Sequence, residues 1–444
     1  MKKILSLIGV LAATAFAPEA SALPAFARQT GMECSACHQQ HFPVLSGFGR
    51  AFKAGGYTMM GTQALVEGER LSIPSTLNAA ILAKIRYVKD NTPGMNPTTT
   101  VPTNTGNGQL QFGDELSLFF AGRVAENIGF MFEGNTVAAG GALLAGLKLP
   151  MSHDFGAVKL TAVPFTTDAL SVQYGFELSS GGVMRANRWA ESRRETSAIQ
   201  YNADRGADAG NATGVALVAH NDMGFINFTK WSPSYAPGSN GQNNVTTPST
   251  SIMTNNYLRV AATPSIGDWA LVAGLGAMRG TGMSNMTAQA VETRQTFADL
   301  QAQGSIGGQE LGVYAQYATA PAAAGAAAVA AGTTTVAANT AAGIASSNAY
   351  NSGVNTRKAL TLGADYSVIP HTLSIGAAYR NAKNGAAAGA DGDNAITLTA
   401  VYDVYQNVAL HADFSKYSGS AHNATVATPQ PLTQSLLVML EAAW

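Results

Sequence analysis

Apolar and polar residues alternate along much of the chain. In residues 358–368 every second residue from Leu360 to Val368 is apolar, and the residues between are Thr361, Gly363, Asp365 and Ser367. The same alternation occurs in the segments 310–318, 371–380 and 395–404. A period of two indicates β-strands with one apolar face, since successive side chains point to opposite sides of a sheet. Segments of about ten residues are long enough to cross a bilayer when tilted.

The connections between these segments are of two kinds. Short links are predicted at seven places, which are 125–129, 152–156, 221–224, 265–269, 305–309, 369–372 and 405–407. Longer stretches rich in Gly, Thr, Asn and Ala lie between them, at 91–108, 235–255, 281–293, 319–356, 383–394 and 418–432. Tight turns at one end and long loops at the other are typical of outer-membrane barrels, whose short turns are periplasmic. The predicted last strand, 433–444, ends in the aromatic residue Trp444, which suits the interfacial girdle of such a barrel.

The predicted fold is all-β, a transmembrane antiparallel barrel. The seven hairpins, a first strand at 75–89 and the last strand give about 16 strands, within a range of 14–18. The higher number requires an additional pair at 169–178 and 196–205. The polar stretch between them, 179–195, is too long for a short turn and favours an external or infolded loop. Alternation also places Lys84, Arg86, Glu115, Arg123 and Glu133 inside the lumen, where the carboxylates suit either a path for Fe(II) or an ordinary polar lining.

The first residues have a different character. Lys2 and Lys3 precede an apolar run at 4–17, and Ala20-Ser21-Ala22 forms a small-residue cleavage site. This pattern predicts a secretory signal peptide over residues 1–22 and a mature chain outside the cytoplasm. We therefore divide the chain into the signal peptide, an N-terminal module at 23–70 and a barrel at 71–444.

The N-terminal module contains the only two cysteines of the chain, Cys34 and Cys37, followed directly by His38. A disulfide is the simplest alternative in an exported protein. Zinc requires two further ligands at finger-like spacing, and a thioredoxin-like pair requires a strand–helix setting. The spacing C-x-x-C-H is that of c-type haem attachment. Two thiols one helical turn apart can each bond a vinyl group of one porphyrin, and the adjacent imidazole then binds the iron. The motif predicts one covalent haem c, with Cys34 and Cys37 as thioether anchors and His38 as the proximal iron ligand.

The second axial ligand is open from the residues alone. Met59 and Met60 follow a helix predicted over 46–56, and His41 lies close after His38. An axial Met or His each gives a low-spin electron carrier. A module of this size is too small to bury a haem alone, so we expect it inside the barrel lumen or at its periplasmic mouth.

Composition narrows the functional classes. Charged residues make up 12% of the chain and the formal net charge is −1, which leaves no basic footprint for nucleic acid. The sequence also lacks a nucleophile elbow and a phosphate-binding glycine loop. The functional prediction therefore depends on the haem motif and the barrel.

The stretch FARQTGMECSACH…FPVLSGFGRAFKAGGYT, at 26–58, followed by a barrel, resembles the fused monohaem cytochrome–porins of the bacterial outer membrane. Some members of that family are iron oxidases. The resemblance implies haem ligation by His38, extracellular Fe(II) as electron donor and a periplasmic c-type cytochrome as acceptor. His41 departs from the family pattern. A haem conduit for another extracellular donor or acceptor, and a diffusion porin with a structural haem, are the alternatives.

Overall fold

The computed structural model describes most of the module and the barrel. It covers residues 24–93, 106–136, 144–167, 171–179, 212–233, 253–283, 290–322, 347–348, 350–351, 355–425 and 430–444. The predicted signal peptide and the segment 196–205 lie outside the described residues.

The N-terminal module contains three short helices, α1 (Pro24–Thr30), α2 (Cys34–Cys37) and α3 (Gly47–Ala54). The helix predicted over 46–56 is confirmed as α3, whose first turn is capped by the Ser46 hydroxyl accepting from the Gly49 amide. A hairpin of β1 (Leu65–Gly68) and β2 (Leu71–Pro74) follows and crosses the predicted module boundary at residue 70. Among the described residues, no helix has the length and apolar character needed to cross a membrane.

The rest of the chain forms a closed antiparallel barrel. Its segments are β3 (Ala79–Asp90), β4 (Gln109–Ala125), β5 (Ile128–Asn135), β6 (Leu144–Lys148), β7 (Met151–Asp154), β8 (Lys159–Thr167), β9 (Ala212–Asn221), β10 (Gly224–Ser232), β11 (Asn255–Ala262), β12 (Ser265–Ile266), β13 (Trp269–Met283), β14 (Ala290–Ile306), β15 (Gln309–Ala320), β16 (Ser347–Asn348), β17 (Arg357–Ile369), β18 (Leu373–Lys383), β19 (Asn394–Tyr405), β20 (Val408–Ser418) and β21 (Gln434–Ala443). β21 pairs with β3 and closes the ring.

Two of the barrel strands are interrupted by a proline. Pro150 separates β6 from β7, and Pro264 separates β11 from β12, because proline has no amide hydrogen for the ladder. β16 is a two-residue piece beside β14. When each broken crossing is taken as one strand and β16 is left aside, the described residues give a 16-stranded barrel.

All seven predicted short turns are confirmed, since each lies between two consecutive antiparallel strands. Two details of the prediction are wrong. The first barrel strand begins at Ala79 rather than at residue 75. The described part of 169–178 contains a 3-10 turn, Val172–Tyr174, instead of a strand, which removes the basis for 18 strands.

The barrel has its apolar side chains on the outside and its polar side chains on the inside. On β17, Leu360 and Leu362 are 37% and 42% exposed, whereas Thr361 and Asp365 are 0% and 1% exposed. Exposed aromatic side chains lie near both ends of the outer wall: Tyr366, Tyr405 and Trp444 at the short-turn end, and Tyr87, Tyr317 and Tyr379 at the other. An apolar outer band between aromatic girdles is the surface that a barrel presents to lipid.

The N-terminal module lies inside the short-turn end of the lumen, because its contacts reach strands on all sides. Ala25 packs with Ala80 and Phe119, near the start of β3 and the end of β4. Val44 packs with Tyr314 and Ala378 on β15 and β18. Further contacts reach other strands through Arg50 to Gln303, Gln40 to the Asp365 carbonyl, and Ala54 to Val163.

A second piece of chain enters the lumen from the long-loop end. Residues 171–179, here called the infolded segment, follow β8 and are buried throughout. The Phe176 ring lies 5.3 Å from the Phe225 ring, close to the turn between β9 and β10, and it shares a cluster with Ala54 of the module. The segment therefore descends through the lumen until it meets the module.

Candidate haem-binding site

The two cysteines are the first and last residues of the single turn α2. The His38 amide donates to the Cys34 carbonyl at 2.9 Å and closes that turn. Helix α3 crosses directly over it: a Cβ at Gly49 would stand 2.1 Å from the Cys37 carbonyl oxygen, so only glycine permits this approach. The structure thus places both thiols on one helical turn, with His38 as the residue that caps it.

Neither thiol is part of a disulfide. Burial raises the pKa of Cys34 to about 12, and the nearby Asp403 carboxylate raises it further. Burial also raises the pKa of Cys37. A catalytic or redox cysteine needs a lowered pKa in an electropositive setting, so this environment does not favour a thiol redox pair.

His38 is held by the loop that joins α2 to α3. Its ring packs edge-on against the Phe42 ring, with centroids 5.2 Å apart. The backbone of Val44 and Pro43 faces the ring, yet the buried Nδ1 has no partner at hydrogen-bond geometry among the described residues. Burial lowers the pKa of His38 to about 4, which keeps the imidazole in the neutral form that binds metals.

Of the three candidates for the distal ligand, His41 has the hydrogen bonding that best suits a metal ligand. Its Nδ1 donates to the Phe42 carbonyl at 2.9 Å, so Nε2 carries the lone pair. That Nε2 is buried without a hydrogen-bond partner in the described part of the chain. Metal-binding histidines commonly donate their second ring nitrogen to a carbonyl in this way. Met59 and Met60 are half-buried, and the Met59 carbonyl accepts from the Gln29 side chain.

The module is anchored to the barrel on both sides of the motif. Gln406, in the turn between β19 and β20, accepts from the Ser35 amide at 3.3 Å and donates to Glu33 at 2.8 Å. Beyond His38, the His41 ring lies 6.0 Å from the ring of His411 on β20. The motif therefore lies at the short-turn mouth, on the side of the module that faces this part of the wall.

These residues fit a covalent haem. The thiols are spaced by one turn, the adjacent His38 imidazole is neutral, and buried ring nitrogens of His38 and His41 have no hydrogen-bond partner among the described residues. Buried polar atoms are nearly always hydrogen-bonded, so unsatisfied ones point to a partner outside the polypeptide. The sequence predicts Cys34 and Cys37 as anchors and His38 as the proximal ligand, and these stay predictions; it did not separate His41 from the two methionines as the distal candidate.

The lumen charges are mostly paired. Glu115 lies 2.8 Å from Lys84, so the neighbouring ammonium neutralises one of the two carboxylates considered for an Fe(II) path. Glu133 is half-buried on β5. Sequence reasoning missed a second network, in which Arg259 contacts Asp299 at 2.8 Å and Glu177 at 3.2 Å. Glu177 belongs to the infolded segment, and only the folded chain brings it to Arg259.

Comparison with solved structures finds porin barrels. OmpF of Salmonella typhi in complex with daunomycin shares 12% identity, covering 86% of this chain and 100% of that chain, with a TM-score of 0.49. An anion-selective porin from Comamonas acidovorans shares 15% identity, covering 83% and 99%, with a TM-score of 0.44. OmpT of Vibrio cholerae shares 10% identity, covering 86% and 100%, with a TM-score of 0.41.

No protein-family model and no curated protein sequence matches the chain. The likeness to the solved porins concerns the barrel fold alone. The antiparallel barrel is established by the strand pairing of this chain itself, in which β21 closes the ring against β3.

Proposed function

We propose that this chain is an outer-membrane electron-transfer protein with one haem c in its N-terminal module. It oxidises extracellular Fe(II) and passes the electron to a periplasmic c-type cytochrome. The observation that carries this proposal is the placement of the Cys34–His38 turn inside the mouth of a closed barrel. A haem-binding motif held in a lumen has a clear use if electrons must cross a membrane.

The apolar outer face of the barrel supports a location in the outer membrane. A closed barrel leaves no unpaired strand edge, and its outer face is apolar between two aromatic girdles. The predicted export signal agrees with a bacterial outer membrane, with the short turns on the periplasmic side. In this orientation the motif faces the compartment in which soluble c-type cytochromes would meet it.

The residues of the chain have distinct parts in this function. Cys34 and Cys37 would hold the haem, His38 would bind its iron, and His41 is the distal candidate that the ring geometry favours. A haem bound there would supply one-electron redox chemistry, which matches the loss of one electron from Fe(II). The polar lumen admits a charged ion that hydrocarbon would exclude. The insoluble Fe(III) product is best left outside, so we propose that an electron rather than an ion crosses.

A diffusion porin with a structural haem is the second candidate. The polar lining of the lumen, including Gln301, Asn227 and Thr229, favours it because such a lining suits the passage of solutes. The module and the infolded segment both occupy the lumen, and this favours the first candidate.

The first test is haem attachment in the purified full-length protein. We expect one haem per chain, retained after denaturing electrophoresis and reduced by added Fe(II). The double variant Cys34→Ala/Cys37→Ala should lose the covalent haem, His38→Ala should change its absorption spectrum, and the matched control Ser35→Ala should retain both properties. A wild-type chain without covalent haem would exclude the proposal, and a haem reduced by dithionite but not by Fe(II) would exclude iron as the donor.

A further inference from the structure

Basic residues line up on the outer face of the barrel near its long-loop end. Lys230 on β10 is in register with Asn256 on β11, which is in turn in register with Arg279 on β13. Arg279 is in register with Arg294 on β14. These four residues, here called the basic row, alternate along their strands with buried residues, and the three cations are exposed. Since neighbouring strands lie about 4.8 Å apart, the row is about 14 Å wide.

The basic row lies at the edge of the apolar outer band. Two residues closer to the short turns, the same wall exposes Phe228 at 40% and Leu258 at 48%. In the other direction the wall continues past the row, because β13 extends to Met283 and β14 begins at Ala290. Lipid hydrocarbon contacts the apolar band of a barrel, and the polar headgroups lie beyond it. With the short turns on the periplasmic side, the row is level with the headgroups of the outer leaflet.

The cations of the row repel one another. Arg279 and Arg294 are direct cross-strand partners, and like charges placed opposite each other destabilise a sheet. Arg294 also has a carboxylate partner, since its Nη1 lies 3.1 Å from Oε1 of Glu292. The repulsion is therefore eased at one end of the row only.

The other two cations have no counter-charge in the protein. Neither Lys230 nor Arg279 forms an ion pair with a described residue. The sequence of the loops that flank the row, 233–254 and 284–289, contains no Asp and no Glu. The positive charge of these two side chains is thus left for a partner outside the polypeptide.

A second pair of like charges on the outer face is balanced by the protein itself. Lys358 on β17 is in register with Lys383 on β18, and both are exposed. There the Lys383 Nζ lies 2.8 Å from Oδ2 of Asp391. The basic row differs from this pair in the lack of such a carboxylate beside two of its cations.

We propose that the basic row binds the phosphate groups of an anionic lipid in the outer leaflet. Arginine forms paired hydrogen bonds with phosphate, lysine supplies a point charge, and the Asn256 amide can donate a further hydrogen bond. A bound phosphate would also relieve the repulsion between Arg279 and Arg294. The inference rests on the barrel wall and not on the haem, so it stands or falls separately from the electron-transfer function.

The test is lipid binding by the purified full-length protein, measured by native mass spectrometry in detergent during titration with diphosphorylated lipid A. Lys230→Gln and Arg279→Gln should each weaken binding roughly fivefold, because each cation at an anionic lipid surface adds to the affinity. Glu292→Gln should tighten binding, since it removes the carboxylate that competes for Arg294. The matched control is Lys416→Gln on β20, an outward lysine with uncharged cross-strand neighbours, and it should match wild type.

Unfolding by urea separates lipid binding from a structural role of the row. In phosphatidylcholine vesicles, Arg279→Gln should unfold at the same urea concentration as wild type or a higher one, because its repulsion with Arg294 is gone. Added lipid A should raise the midpoint of wild type more than that of Arg279→Gln, since a ligand that binds the folded state stabilises it. Lipid A affinities of Lys230→Gln and Arg279→Gln equal to that of Lys416→Gln would overturn the inference. Equal affinity of wild type for lipid A without its phosphates would overturn it as well.

Discussion

At the scale of single residues, buried ion pairs stabilise the lumen side of the barrel wall. Lys84 on β3 is fully buried between Glu115, at 2.8 Å, and Glu441, at 3.4 Å. The three residues come from β4, β3 and β21, so the network spans the seam where the two ends of the barrel meet. Removing one partner from such a network leaves buried charge uncompensated.

Lys84→Met should therefore destabilise the barrel by about 3–5 kcal/mol, because two carboxylates lose their shared cation. Urea unfolding in lipid vesicles, followed by tryptophan fluorescence, measures this. Lys416→Met removes an exposed lysine and should change stability by no more than about 0.5 kcal/mol. Equal stability of the two variants would show that the seam does not depend on Lys84.

Sequence predicts these residues unequally. The inward position of Lys84 and Glu115 follows from alternation, and the shared turn of Cys34 and Cys37 follows from their spacing. The pairing of Lys84 with Glu441 does not follow, since it depends on which strands close the ring. The unsatisfied Nε2 of His41 likewise depends on a loop conformation that no local pattern encodes.

At the scale of elements, strands are predictable where pairing is regular. The first strand begins later than the pattern predicts, because residues 75–78 also bond to residues 63 and 64. The Ser75 amide donates to the Ala64 carbonyl, and the Asn78 side chain bonds Gln63. The path of the infolded segment could not be predicted from the sequence either, since the Glu177–Arg259 ion pair forms only inside the folded lumen.

Arg259→Gln should release the infolded segment, because Glu177 and Asp299 lose the guanidinium they share. We expect a larger single-channel conductance in planar bilayers, and Glu177→Gln should act in the same direction from the segment itself. Lys416→Gln, at an exposed position on β20, is the matched control. Conductance equal to the control in both variants would mean that the segment does not narrow the lumen.

At the scale of the whole molecule, the barrel is apolar outside and polar inside, and it encloses the small N-terminal module. The wall exposes leucines to the outside and buries glutamines and aspartates, as lipid outside and a polar lumen require. The lumen encloses the module, since strands on all sides contact it. The barrel thus encloses a segment that is too short to form a core of its own.

The most direct test of this account uses lipid vesicles that carry the full-length protein, with a soluble c-type cytochrome trapped inside and Fe(II) added outside. The account predicts rapid reduction of the trapped cytochrome with wild type and slow reduction with Cys34→Ala/Cys37→Ala. The comparison separates electron transfer through the haem from Fe(II) leaking through a pore. Equal rates for the two proteins would contradict the account, because reduction would then not depend on the haem.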